Sequence, residues 1–130
     1  MVGPIQSDLF GLGDPLQGAS ASAEEVIAIF GLRSSRKAYC LVEEWTIFQA
    51  DLTSEEIAKV HAAKHLPLFV FAQKVVEDSR GRFRPGDWVR SSMCVTFDDG
   101  VMFETKNTIY VLMGRGHRQT ASLKTIFSFF

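Results

Sequence analysis

FRPGDWVRSSMCVTFDDGVMFETKNTIYVLMGRG, residues Phe83 to Gly116, reads as a β-meander, and that stretch decides the fold class. Arg84-Pro85-Gly86-Asp87 is a turn sequence, in which Pro pre-sets its own φ and Gly accepts a positive one. From Trp88 to Phe97 the chain predicts a strand with Val89, Met93, Val95 and Phe97 on one face and Arg90, Ser92 and Thr96 on the other. Asp98-Asp99-Gly100 is a hairpin signal, with Val101 to Thr105 as the return strand. Lys106-Asn107 predicts a second reversal and Thr108 to Met113 a third strand. Gly114-Arg115-Gly116 is expected to break the pattern, with a polar loop to Thr120 and a last strand from Leu123 to Phe129.

Upstream, Asp78-Ser79-Arg80-Gly81 is another turn, preceded by a strand from Leu68 to Glu77 that is apolar at its start and alternating near its end. Ala38 to Phe48 is rich in strand formers, and Glu43-Glu44 interrupts it, which predicts one strand with a bend. Two helix starts are written as capping boxes, Ser22 with Glu25 and Thr53 with Glu56, where hydroxyl and carboxylate satisfy backbone donors. Val26, Ile27, Ile29 and Phe30 give the first helix an apolar face, with Gly31 as its stop. Leu52, Ile57 and Val60 mark the buried side of the second, which Leu66-Pro67 ends. Residues 1–21 carry four of the ten glycines and two of the four prolines and predict an irregular arm. Its apolar residues Ile5, Leu9, Phe10, Leu12 and Leu16 are candidates for docking on the body or on a partner.

The expectation is an arm over 1–21 followed by a single α+β domain over 22–130. Its centre would be an antiparallel sheet or partly open barrel of about five to six strands with two short helices packed on one side. A chain of 130 residues is long enough to bury a core as one domain. A hydrophobic content of 46% and a net charge of -1 exclude both the composition of disorder and that of a strongly basic nucleic-acid binder. The 11 phenylalanines point to a core built around rings. There is no leader-like N-terminus and no apolar run near the roughly 20 residues of a spanning helix, so a soluble, cytoplasmic protein without membrane contact is expected.

Few residues carry a chemical signature. Cys40 and Cys94 lack zinc-type spacing and are read as buried small hydrophobes, with a disulfide requiring neighbouring strands. His61 and His65 stand one helical turn apart as HAAKH, without the HExxH arrangement or a third ligand, so no metal is expected. Gly114-Arg115-Gly116 lacks the third glycine of a dinucleotide fingerprint and the Gly-Lys-Ser/Thr of a P-loop, so no cofactor is expected. Of the paired acidic residues, only Glu43-Glu44 has no explanation in a turn or helix start. Arg90-Ser91-Ser92 with Glu104 is similar to ADP-ribosyl transfer sites, but the second glutamate of that chemistry is missing, which ranks a small transferase last.

Charge is unevenly placed: residues 1–79 hold 11 acidic and 6 basic side chains, residues 80–130 hold 4 and 8. A binding face is therefore sought among Arg80, Arg82, Arg84, Trp88, Arg90, Lys106, Tyr110, Arg115, His117 and Arg118. Asp87-Trp88-Val89-Arg90-Ser91-Ser92, followed by Glu104 to Gly114 (ETKNTIYVLMG), resembles a family of short, uncharacterised bacterial proteins, some of them prophage-encoded. The resemblance implies no activity. The expected function is that of a non-catalytic protein-binding module, of the prophage-type accessory or anti-host kind, with a homodimer compatible with an uncovered sheet edge. The alternative is a nucleic-acid-binding sheet using the basic C-terminal half.

Overall fold

A computed structural model describes residues 13–98 and 100–128. Eight strands form one curled, half-barrel sheet: β1 (Asp14–Gln17), β2 (Ala38–Ala50), β3 (Leu68–Asp78), β4 (Val89–Arg90), β5 (Cys94–Asp98), β6 (Met102–Thr105), β7 (Thr108–Leu112) and β8 (Arg115–Ala121). Among the described residues three helices accompany it: α1 (Ala23–Ile29), α2 (Ser54–Ala62) and the single turn α3 (Leu123–Ile126). Both capping boxes are formed, with Ser22 accepting from the Glu25 amide and Thr53 from that of Glu56, and each glutamate returning a bond to the cap residue.

The 13-residue β2 is the spine. It runs antiparallel to β3 from Cys40 opposite Asp78 to Gln49 opposite Leu68. Along its other edge it lies parallel to β7 over Ala38–Val42 and then parallel to β8 over Trp45–Ala50. The change of neighbour falls at Glu43-Glu44, where Glu44 adopts a left-handed φ of 54°. That kink advances the side-chain alternation by one residue, so that Cys40 and Val42 before it, and Trp45 and Ile47 after it, all face the same inner core. Tyr39 and Leu41 point outward beneath α1, and Phe48 and Ala50 outward beneath α3.

The strand count among the described residues is thus eight, not five to six, and the sheet is mixed rather than antiparallel. Parallel pairing of β2 with β7 and β8 joins segments more than 60 residues apart, which local turn chemistry cannot reveal. Arg115–Ala121, expected as a loop, is β8: Gly116 faces Trp45, whose indole leaves no room for a Cβ, and polar residues fill the less covered positions. Leu123–Ile126 is a helical turn, not a strand, because Ser122 caps it by accepting from the Thr125 amide at 3.1 Å; Phe129 lies outside the described residues. The strand expected over Trp88 to Phe97 is split into β4 and β5. Buried Ser91 ends the pairing with β3, its amide donating to the Val70 carbonyl at 2.8 Å while its hydroxyl accepts from the Val70 amide at 2.9 Å.

Within the stretch 1–21 expected to be irregular, Asp14–Gln17 forms β1, antiparallel to β8. The helices do not share one side. α1 and α3 back the outer face, whereas α2 buries none of its residues and contributes Ile57 and His61 to the wall of a pocket. The hairpin joining β5 to β6 and the reversal at Lys106-Asn107 are formed; in the latter, the Thr105 hydroxyl accepts from the Thr108 amide and donates to its carbonyl.

Cys40 and Cys94 are buried thiols in the inner cluster and are not bonded to each other. Burial, reinforced by Asp78 for Cys40 and by Glu104 and Asp98 for Cys94, pushes each pKa up from 9.0 to about 12.

Two outcomes follow from this packing. Gly116→Ala forces a methyl into the Trp45 ring and is expected to cost about 1–3 kcal/mol in urea unfolding; an unchanged midpoint would refute the close seat. Above pH 9 an unfolded thiol ionises while a folded one keeps its proton. Stability should therefore fall from pH 9 towards 12, by about 1.4 kcal/mol per pH unit for each thiol. Cys94→Ala should flatten that slope when unfolding midpoints are measured across the range.

Candidate functional site

The ten residues sought as one binding face are dispersed by the fold. Tyr110 is the clearest correction: it is buried in the inner cluster against Phe103, and burial, with Cys40 adding to it, pushes its phenol up to about 12. It occupies an inward position of β7, so it is unavailable for stacking on a base. Arg82 is held by Asp78 through Nη2 at 2.6 Å and Nε at 3.1 Å, and its Nη1 donates to the Thr108 hydroxyl at 2.9 Å. Arg80 donates to the Arg36 carbonyl at 2.7 Å, and the Arg84 amide donates to Asp87 in the turn before β4. Lys106 and Arg115 are exposed.

His117 and Arg118 are adjacent in β8 and therefore face opposite ways. Arg118 donates to the Gln49 side chain at 3.1 Å. It lines a pocket of about 410 Å³ together with Ile57 and His61 of α2, Leu66, Leu68 and Phe97. His65 turns away to the Ala63 carbonyl. Among the described residues no group of three or more His, Cys, Asp or Glu side chains could hold a metal ion. Arg90, Glu104 and His117 lie on β4, β6 and β8, which do not neighbour one another, and Glu104 is paired with Lys37. Of the apolar arm residues, Leu16 packs on the inner cluster; Ile5, Leu9, Phe10 and Leu12 lie outside the described residues.

Two members of the set do meet, and they meet residues that were not in it. On the outer face of β3 and β4, Phe71 sits opposite Arg90. Trp88 stacks on Phe71 with ring centroids 5.6 Å apart and planes 17° from parallel. The Arg90 guanidinium lies 4.8 Å from the centroid of Phe127, which meets Phe69 edge-on at 5.3 Å. Trp88 is 47% exposed and Phe127 40% exposed, whereas Phe69 and Phe71 beneath them are buried. The result is a two-tier aromatic surface at the edge of the sheet, with a cation set into it. Alternation places Phe69 with Phe71, and Trp88 with Arg90, on common faces; what sequence spacing could not give is the register that brings those pairs and Phe127 together.

The chain belongs to the family described as Domain of unknown function (DUF6957), whose model matches residues 17–128. No curated protein and no solved structure matches the chain. Among the described residues, no helix is long and apolar enough to cross a membrane.

Asp78 is the acid on which the Arg82 arrangement turns. Burial opposes its ionisation, but the Arg82 side chain and amide outweigh that and hold its pKa below 3.8. Asp78→Asn is expected to destabilise the fold by about 1–3 kcal/mol at neutral pH. The wild-type contribution is present above the unfolded carboxyl's pKa and is lost as pH falls through the lower folded value. Urea midpoints of the two proteins should therefore converge in acid; a gap independent of pH would refute the charge-based account.

Proposed function

We propose that this member of the DUF6957 family is a non-catalytic protein-binding module whose contact surface is the aromatic edge formed by Trp88, Phe71, Arg90 and Phe127. The observation that carries the proposal is a half-exposed tryptophan held flat on a buried phenylalanine beside an edge strand of only two residues. Large rings and arginine supply most of the energy at protein interfaces, and an anchor fixed before binding loses little rotamer entropy on docking. A partner gains the outer faces of both exposed rings. The nucleic-acid alternative ranks second because Tyr110, one of its two stacking residues, is inside the core and Arg82 is bound to Asp78.

The resemblance to short bacterial proteins, some prophage-encoded, favours a host protein as the partner and an accessory or anti-host role. A second copy of the chain is the other partner of the same chemistry. The apolar residues Ile5, Leu9, Phe10 and Leu12 provide a further grip, and a deletion that stops before Gly13 removes them while retaining β1.

The test is affinity capture from cells of the source organism with wild-type protein and Trp88→Ala, after nuclease treatment, with light scattering on each protein. Loss of a hot-spot ring of about 2 kcal/mol lowers partner recovery by roughly 30-fold, while Arg115→Ala leaves it unchanged. Equal recovery with Trp88→Ala, or recovery abolished by nuclease alone, would remove the proposed interface.

A further inference from the structure

Away from the aromatic edge, one cavity collects cations and hydroxyls from both sides of the charge divide, with Arg33 and Lys37 from the acidic half and Arg80 from the basic one. After α1 the chain makes a 3-10 turn at Leu32–Ser34 and enters β2. Arg33, Ser35, Lys37 and Tyr39 from this stretch, and Ser79 and Arg80 from the turn after β3, line a pocket of about 360 Å³. The Tyr39 amide donates to the Ser79 hydroxyl oxygen at 2.9 Å and the Ser79 amide to the Tyr39 carbonyl at 2.9 Å, which fixes the two walls together. The Ser35 hydroxyl oxygen accepts from the Lys37 amide at 3.2 Å. Both hydroxyl oxygens are thus anchored by backbone donors. Neither hydroxyl proton has an acceptor among the described residues, so both can turn to a ligand.

The charges are arranged in the same sense. Lys37 is paired with Glu104 and donates to the Thr105 carbonyl at 2.9 Å, which holds its ammonium in place. Arg82, nearby in the chain, is neutralised by Asp78. Arg33, Arg36 and Arg80 have no carboxylate partner among the described residues. Arg80 is oriented by the Arg36 carbonyl, which uses one of its donors and leaves the rest of the guanidinium available. Guanidinium groups and hydroxyls lining one pocket, with no carboxylate among its lining residues, suit a tetrahedral dianion, whose oxygens accept several charged hydrogen bonds at once.

We propose that this pocket binds a phosphate group, with Arg33 and Arg80 as its charged ligands and Ser35 and Ser79 as neutral donors. The same chemistry is offered by a small polyphosphate and by a nucleic-acid backbone, and the experiment separates them. The intact chain is titrated calorimetrically at low ionic strength with inorganic pyrophosphate, and separately with a single-stranded oligonucleotide. Saturable pyrophosphate binding is expected, weakening with added salt. Loss of one charge-assisted contact should raise Kd about 10-fold in Arg33→Gln and in Arg80→Gln, with Arg115→Gln unchanged. Arg33 is exposed, so Arg33→Gln keeps the test open should Arg80→Gln alter folding. Oligonucleotide binding that pyrophosphate displaces identifies a backbone phosphate as the source; no oligonucleotide binding identifies a small phosphorylated ligand. The proposal is overturned if pyrophosphate gives no saturable heat at low salt. It is equally overturned if Arg33→Gln binds like wild type, or if Arg115→Gln loses as much as the pocket variants.

Discussion

Everything in this fold is referred to one kink and the tryptophan that follows it. A regular strand would send Val42 and Trp45 to opposite faces, because side chains alternate with a period of two. The left-handed backbone at Glu44 resets that period, and the same displacement transfers β2 from β7 to β8. Trp45 then enters the inner core, donates its indole N–H to the Met113 carbonyl at 3.1 Å, and lies against the backbone at Gly116. Since Met113 lies between β7 and β8, that hydrogen bond ties down the segment at which the partner strands change over. Positive φ at a non-glycine residue is unfavourable by about 1 kcal/mol or more. Here the surrounding ladders outweigh it, and the exposed glutamate needs no packing of its own.

Local chemistry in the chain is faithfully expressed in the structure. The capping boxes at Ser22 and Thr53, the antiparallel pairing of β5 with β6 and the reversal at Lys106-Asn107 each depend on residues within a few positions of one another, and sequence shows them directly. The bend at Glu43-Glu44 belongs to the same class, although its purpose is visible only once the two partner strands are known. What sequence concealed depends on distant pairing. Arg115–Ala121 is polar, follows Gly114 and carries Gly116, so it resembles a loop until Trp45 explains Gly116 and β2 explains the strand. The outer aromatic surface draws on Phe69, Phe71, Trp88, Arg90 and Phe127, and the register of β3 with β4 is what unites them. Half-to-half charge asymmetry misled for a related reason. It placed Arg33, Arg36 and Lys37 in the acidic part of the chain, whereas in space Arg33 and Lys37 line one pocket with Arg80.

The arginines show how a charge count differs from a binding face. Arg82 anchors the turn after β3 through Asp78 and reaches across to Thr108 at the start of β7, which makes it a structural clamp between strands that are not neighbours. Arg118 braces Gln49 in the wall of the larger pocket. Arg90 lies across a ring, where its charge is attracted to the π face. Subtracting these leaves a smaller group, centred on Arg33 and Arg80, whose charge no carboxylate among the described residues balances.

The aromatic edge and the core are also mechanically continuous, and this shapes how the surface can act. Phe71 belongs to the outer cluster with Phe48, Phe69 and Ile126 and at the same time supports Trp88. β4 itself is short, holding to β3 by Phe71 opposite Arg90 and Ala72 opposite Val89, while Val89 is buried in the inner core. An edge of two residues offers a partner strand little backbone to pair with, so side chains rather than strand addition dominate recognition there. The indole is held by a ring that cannot move without disturbing the helix-covered face. A partner therefore meets a preformed surface, and affinity at this edge should follow the chemistry of the exposed rings more closely than the flexibility of the strand that carries them.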